Sequence, residues 1–353
     1  MIENAISIEE ALNLTNTIFV DVRSEDEFEE AHIPGSINIP ILNNEERSEV
    51  GKIYRNESHE KAKILGLRYA SHKLEGIYSQ ISKLKKQYHN VIIYCWRGGM
   101  RSKSVCTILK TLQAGNIYRL AGGYKSYRKF VLDYFEKHVH EFKFIVLHGL
   151  TGVGKTIIID ELEKNNISIM NLEKLAKNSG SVFGDILFEG KSPSQKQFDS
   201  FIFNDLYYND KKYVIVESES KRIGSINVPD QVIKSMVEGY HILIKTSMEN
   251  RIQNIYNDYV KQDRDINHKL IKCIKHLNKR LGNENVEILI DKINLGDYEY
   301  VIEFLIKDYY DPLYRYSIER INNTDLIINY EKIHDATNAI EAFINAKITE
   351  GRN

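Results

Sequence analysis

Cysteine is scarce in this chain, with only Cys95, Cys106 and Cys273 in 353 residues. The set is odd and includes no C-x-x-C or other metal-ligand spacing, so a reducing, cytoplasmic compartment is the natural reading. Long apolar runs are missing too. Nothing approaches the roughly 18 apolar residues of a spanning helix, so no membrane association is expected. The stretch MIENAISIEEALNL is acidic and lacks the basic-then-apolar order of a signal peptide. Nor does charge of one sign dominate. Lys and Arg number 48 against 49 Asp and Glu, a formal net charge of −1. Any RNA-binding surface must therefore be a local patch. Internal repeats and low-complexity tracts are absent. What is present is a globular composition, 42% hydrophobic and 27% charged, long enough for two domains with a core each.

The first part alternates strand-like and helix-like stretches. Residues 18–22 read as a short buried strand, and Ser24 as the N-cap of the acidic helix behind it. Residues 32–40 read as a turn and a short strand bounded by prolines. Residues 91–94 form the next strand and end at Cys95. A helix is predicted from Ser102, with Val105, Ile108, Leu109 and Leu112 at helical spacing and Gly115 ending it. Residues 117–120 are another strand. This order predicts a mostly parallel α/β sheet. Residues 124–140 read as a helical connection. A second α/β unit starts at 142–147, with further strands at 213–217 and 241–244. Beyond Met248 the pattern is mainly helical. The expected domains are 1–135 and 136–353.

Two loops about fifty residues apart carry the chemistry. The first is Tyr94-Cys95-Trp96-Arg97-Gly98-Gly99-Met100-Arg101-Ser102. Cys95 follows a strand and precedes a helix, so backbone N–H groups and the helix N-terminus converge on its sulfur. Arg97 and Arg101 add positive charge, and all of these favour thiolate over thiol. The expected product is a nucleophile ringed by donors, suited to carry a persulfide or perselenide or to attack phosphorus. Cys106 and Cys273 sit in apolar helical stripes and read as core residues.

The second loop, Gly149-Leu150-Thr151-Gly152-Val153-Gly154-Lys155-Thr156, matches the phosphate cradle G-x-x-x-x-G-K-[ST] between a strand and a helix. Gly149, Gly152 and Gly154 allow the backbone to fold around phosphate oxygens. Lys155 supplies a point charge, and the Thr156 hydroxyl can reach Mg²⁺. Glu217 ends an apolar strand, where an acidic residue often stands behind Mg²⁺ or is simply a strand-end carboxylate. No kinase lid is evident. Arg251 and Arg264 follow the last strand but read equally well as solvated charges. The motif leaves the phosphate compound open, with ATP as the default.

The Cys95 loop, with Asp21-Val22-Arg23 and His32-Ile33-Pro34-Gly35-Ser36-Ile37, resembles a rhodanese domain. The commonest rhodanese loop places four residues between Cys and Arg. Here five separate Cys95 from Arg101, as in the phosphatases that share the fold. Over nearly its whole length the chain resembles the tRNA 2-selenouridine synthases. The resemblance runs through both loops and through Leu120-Ala121-Gly122-Gly123-Tyr124-Lys125-Ser126-Tyr127-Arg128 and Leu172-Glu173-Lys174-Leu175-Ala176. It continues in Ser179-Gly180-Ser181-Val182-Phe183-Gly184, Pro193-Ser194-Gln195-Lys196-Gln197-Phe198 and Val216-Glu217-Ser218-Glu219-Ser220, and ends in Tyr309-Tyr310-Asp311-Pro312-Leu313-Tyr314. Ser218 departs from it, standing where an acidic residue is more usual.

The resemblance implies a rhodanese-like parallel-sheet domain followed by a P-loop α/β domain with a largely helical C-terminal part. It implies a tRNA substrate carrying 2-thiouridine at the wobble position. The sulfur would be geranylated with geranyl diphosphate, then replaced by selenium from selenophosphate through the rhodanese-type cysteine. Selenophosphate synthetase becomes a candidate partner. Within 260–281, Ile266, Leu270, Cys273, Leu277 and Leu281 form an apolar stripe. Lys269, Lys272, Lys279 and Arg280 beside it are candidates for RNA phosphates or an ordinary solvated face. Trp96, Tyr309, Tyr310 and Tyr314 are candidates for stacking on an extruded base or for core packing. The rivals are a rhodanese-type sulfurtransferase or phosphatase fused to an ATP-dependent kinase-like module, and a non-enzymatic sensor.

Overall fold

The computed structural model describes residues 5–178, 183, 191–261, 266–314 and 323–350. Arg264 and most of the Ser179–Gly184 motif lie outside that set. The chain forms two compact units. One comprises Met1–Glu136 and Pro193–Asn204, the other Lys137–Ser192 and Asp205–Asn353.

The first unit is built on strands β1 (Ala5–Ile6), β2 (Thr17–Asp21), β3 (Ile37–Asn38), β4 (Asn90–Tyr94) and β5 (Ile117–Leu120). They pair in the order β1-β5-β4-β2-β3, all parallel. Strand β4 is central and every residue in it is buried. The run Val91-Ile92-Ile93 suits a strand covered on both faces, where no polar alternation is needed. Ser24 caps the helix Glu25–Glu30 through a capping box with Glu27, as expected. The helix after Cys95 starts at Met100, two residues before the expected Ser102, and buries Val105, Cys106 and Leu109. It ends at Thr111. Gln113, with φ of 53°, rather than Gly115 makes the first left-handed turn behind it.

The second unit carries β6 (Lys143–His148), β7 (Ile169–Met170), β8 (Tyr213–Glu217), β9 (Arg222–Ile223), β10 (Ile226–Asn227), β11 (Tyr240–Lys245) and β12 (Leu326–Asn329). Five of these form a parallel sheet in the order β12-β11-β6-β8-β7. Strand β12 was not expected. It is a four-residue edge strand that interrupts the helical region before the helix Ile333–Glu350. The β6–β8 register sets Leu147 opposite Glu217, so the phosphate loop and the strand-end carboxylate leave the sheet side by side. The apolar stripe read within 260–281 is divided between two helices. Ile266–His276 and Asn278–Leu281 are separate helices meeting at Leu277. Two π-helical segments, Tyr256–Val260 and Leu305–Tyr310, flank them in sequence. Among the described residues no helix is long and apolar enough to cross a membrane.

Candidate functional site

Cys95 leaves the carboxyl end of β4 only 3% exposed, and its Sγ lies 3.2 Å from the Ser102 hydroxyl. The loop is fixed to the segment after β5. The N–H of Tyr124 donates to the Cys95 carbonyl at 2.8 Å, and that of Lys125 to the Trp96 carbonyl at 2.9 Å. Gly123 has φ of +61°, and a Cβ there would stand 2.1 Å from the Cys95 carbonyl oxygen, so only glycine permits this approach. The Arg119 guanidinium donates to the Gly98 carbonyl.

The two arginines expected at the sulfur are placed differently. Arg97 is exposed. Arg101 instead makes a two-point pair with Glu27, at 2.6 and 3.3 Å, and Arg47 joins the same carboxylate at 2.7 Å. Burial alone would raise the Glu27 carboxyl, but the Arg101 hydrogen bond and the two positive charges outweigh it and hold it below the ordinary range. Arg101 therefore braces the loop against the helix Glu25–Glu30. Its distance in sequence from Glu27 is what hid this pairing. Arg23 and Asp21 form a buried pair, with the Arg23 guanidinium 4.3 Å from the Tyr124 ring centroid.

The stretch Pro193–Asn204 completes this unit. Gln197 accepts from the His32 N–H at 2.7 Å, and Asp199 pairs with Arg128. Phe203 sets its ring against the edges of Tyr127, Phe130 and Tyr134. Lys196 brings its ammonium 5.8 Å from the Trp96 ring centroid, beside Cys95. Sequence reasoning assigned Lys196 no role, because it is about a hundred residues from the cysteine loop.

In the second unit Gly154, at φ of 70°, turns the chain into the helix Lys155–Lys164. Lys155 folds back so that its Nζ donates to the Gly149 carbonyl at 3.2 Å. Three successive carbonyls are held from outside the loop. Thr151 accepts from Arg251 Nε at 2.8 Å, Gly152 from Asn254 Nδ2 at 2.9 Å and Val153 from the Tyr330 hydroxyl at 2.9 Å. With the carbonyls occupied, the peptide planes are fixed and the loop amides stay available for an anion. Arg251 is thus no solvated charge. It is buried and bound at two points to Asp311, at 3.0 and 2.5 Å. Loss of either partner would leave a buried charge alone, a cost of about 3–5 kcal/mol.

Glu173, Glu217 and Glu219 line the same pocket as the loop. Glu217 is 1% exposed, and its Oε1 is buried with no hydrogen-bond partner. Burial, then the Glu173 charge, pushes Glu217 up to about 8. Burial and the Glu219 charge raise Glu173 to about 8, and burial and the Glu217 charge raise Glu219 to about 7. Lys155 opposes all three shifts. Among the described residues no group of three His, Cys, Asp or Glu is arranged to hold a metal unaided. Mg²⁺ needs no such group, since it is commonly held by one or two carboxylates plus substrate phosphates. The orphaned Glu217 oxygen and the Thr156 hydroxyl fit that donor set. His148, beside the loop, donates or accepts at 2.8 Å with His241, and burial, then the His241 and Lys155 charges, lowers it to about 4, so it stays neutral near pH 7.

These raised carboxyls have a consequence for stability. Between the ordinary glutamate value of 4.5 and about 8, the folded protein holds a proton at Glu217 that the unfolded chain has released. That contribution is full below the lower value and is lost as pH rises through the upper one. Glu217→Gln should therefore flatten the fall in stability over this window by up to about 1.4 kcal/mol per pH unit. Urea unfolding of both proteins at several pH values measures it. Parallel curves would mean that Glu217 ionises as an ordinary carboxylate.

The pocket, about 270 Å³ in all, continues from the phosphate loop into an apolar cavity. Its walls include Leu270, Ile274, Ile293, Val301, Leu305 and Ile306, drawn from the helical C-terminal part. The candidate RNA residues Lys269, Lys272, Lys279 and Arg280 are exposed. The break at Leu277 divides them between two helices, and Arg280 lies over the Tyr309 ring at 5.6 Å. Tyr309 and Tyr310 are buried in the surrounding core, and Tyr310 lines the pocket. Tyr314 and Trp96 keep part of their surface.

Sequence comparison agrees with this two-part architecture. A family described as the tRNA 2-selenouridine synthase AAA domain matches residues 142–345, and the rhodanese-like domain family matches residues 4–130. The chain is 31% identical to a tRNA 2-selenouridine synthase of Sulfurovum sp. (strain NBC37-1), over 87% of this chain and 90% of that one. It is 32% identical to the protein of the same name from Pseudomonas syringae pv. syringae (strain B728a), over 88% and 90% of the two chains. For the Nitrosomonas europaea protein the figures are 28%, 88% and 91%.

Proposed function

The chain belongs to the tRNA 2-selenouridine synthase family, and we propose that it makes 2-selenouridine in tRNA by two transfers, one at each loop. The observation that carries the first is the continuity of a phosphate cradle with an apolar cavity. A diphosphate would sit on the loop amides and Lys155, and the prenyl chain of geranyl diphosphate would fill the cavity. The thiocarbonyl sulfur of a wobble 2-thiouridine forms a bond to C1 of the geranyl group as the C–O bond to diphosphate breaks. The base gives up its ring N–H proton. Mg²⁺ held near Thr156 and Glu217 would offset charge on the departing diphosphate. A kinase-like reading explains the cradle but leaves the apolar cavity without a purpose.

The second transfer belongs to the Cys95 loop. Selenium from selenophosphate attacks C2 of the base, the C–S bond breaks, and geranyl thiol leaves; the Cys95 thiolate then attacks phosphorus, the P–Se bond breaks to leave selenium on C2, and water releases the phosphoryl group from the sulfur as phosphate. Alkylation makes this exchange easier, because an alkylthiolate is a better leaving group than a thiocarbonyl sulfur. The selenium donor implies selenophosphate synthetase as the supplying enzyme. The direct test is mass spectrometry of tRNA nucleosides from cells lacking the gene. Selenouridine should vanish while 2-thiouridine remains.

For the tRNA, Lys269, Lys272, Lys279 and Arg280 are the proposed phosphate-binding residues. Neutralising all four should weaken tRNA binding and flatten its log–log salt dependence by roughly 0.7–0.9 for each phosphate that is no longer neutralised. An unchanged slope in filter binding would reduce this surface to a solvated face.

A further inference from the structure

We propose that Ile274, Ile293 and Ile306 form the closed end of the apolar cavity and limit the length of the prenyl chain it accepts. The inference rests on the reading of cradle and cavity as a prenyl diphosphate site. If the diphosphate is anchored on the loop amides and Lys155, one end of the substrate is fixed, and the depth of the cavity becomes a ruler.

The lining residues differ in exposure. Ile255 and Tyr298 are partly exposed, whereas Ile274, Ile293 and Ile306 are each 0% exposed. These three come from different elements, the helix Ile266–His276, the helix Asn283–Asn294 and the segment Leu305–Tyr310. All three are β-branched and stiff about χ1, so this wall cannot swing aside as leucine or methionine would. The surrounding helices are tied together. Asn267 donates to the Ile293 carbonyl at 3.3 Å and accepts from the Tyr298 hydroxyl at 2.6 Å. Both π-helical segments contribute lining residues, Tyr259 and Val260 from one, Leu305, Ile306 and Tyr310 from the other. Such distortions of regular helix recur at functional sites.

Ile→Ala removes about three carbons, so Ile274→Ala with Ile293→Ala opens roughly the space of one five-carbon isoprenyl unit. The test supplies dimethylallyl, geranyl and farnesyl diphosphate in equal amounts with a tRNA bearing wobble 2-thiouridine. Alkylated nucleosides are then quantified by mass spectrometry. Wild type should favour geranyl. The double variant should raise the farnesyl-to-geranyl ratio by about tenfold or more, since even single carbons are worth that much in an apolar pocket. Ile274→Phe should move the other way and raise the dimethylallyl-to-geranyl ratio by a similar factor. Should the double variant not fold, Ile274→Val with Ile293→Val and the Phe variant carry the same comparison. Unchanged ratios in variants that still alkylate overturn the ruler alone. Wild type that alkylates with none of the three diphosphates overturns the underlying reading instead.

Discussion

Cys95→Ser is expected to stop selenium incorporation while geranylated 2-thiouridine accumulates in the tRNA. The substitution is nearly isosteric, and the buried hydroxyl would meet Ser102 where the sulfur did. What it removes is an ionisable, strongly nucleophilic atom, since a serine hydroxyl does not ionise near neutral pH. The expected loss is on the order of a thousandfold or more, roughly 4 kcal/mol of transition-state stabilisation. Nucleoside mass spectrometry separates the two products. Selenouridine at wild-type levels would remove Cys95 from the mechanism. Cys106→Ser is the control. Cys106 is buried in the core of the same unit with Sγ 3.7 Å from the Tyr118 carbonyl, so the change affects stability and leaves selenium transfer in place.

Lys155→Ala should have the second large effect, and on the other step. Geranylation should fall by about 10²–10³-fold, the usual cost of removing a preorganised electrostatic partner of developing charge. Selenation should return when tRNA already carrying the geranyl group is supplied, because the P-loop has no further part. The variant should also bind prenyl diphosphate less well. Lys155 is the positive charge that holds Glu173, Glu217 and Glu219 down, so its removal drives them further toward the protonated form. Normal geranylation by the variant would assign the loop to a different phosphate compound.

Both loops were legible in the sequence because each is local. Strand, glycines, reactive residue and helix start follow one another within about ten residues, and their backbone geometry is dictated by those residues. The central strands were legible for the same reason, as short apolar runs bounded by turns. The parts that escaped depend on residues far apart in the chain. Arg251 read equally well as a solvated helix charge, and only Asp311, sixty residues on, decides against that. Arg101 was read as a charge for the sulfur, and its pairing with Glu27, seventy-four residues away, was not legible. Pro193–Asn204 follows the phosphate loop in sequence yet packs within the first unit. The apolar cavity is the largest omission. Its lining residues read singly as ordinary core positions of several helices, and only their assembly leaves a space beside the cradle. A space cannot be read from helical periodicity, which records which faces are apolar and not whether they close.

Calorimetric titration with geranyl diphosphate, inorganic pyrophosphate and ATP in parallel tests the central claim most directly. If the cradle and the cavity hold one substrate, geranyl diphosphate should bind far more tightly than pyrophosphate. It should do so with a negative heat-capacity change that pyrophosphate lacks, the mark of apolar surface leaving water. ATP should compete weakly. Equal affinity for geranyl diphosphate and pyrophosphate, with no difference in heat capacity, would mean that the prenyl chain never enters the cavity and would contradict the account.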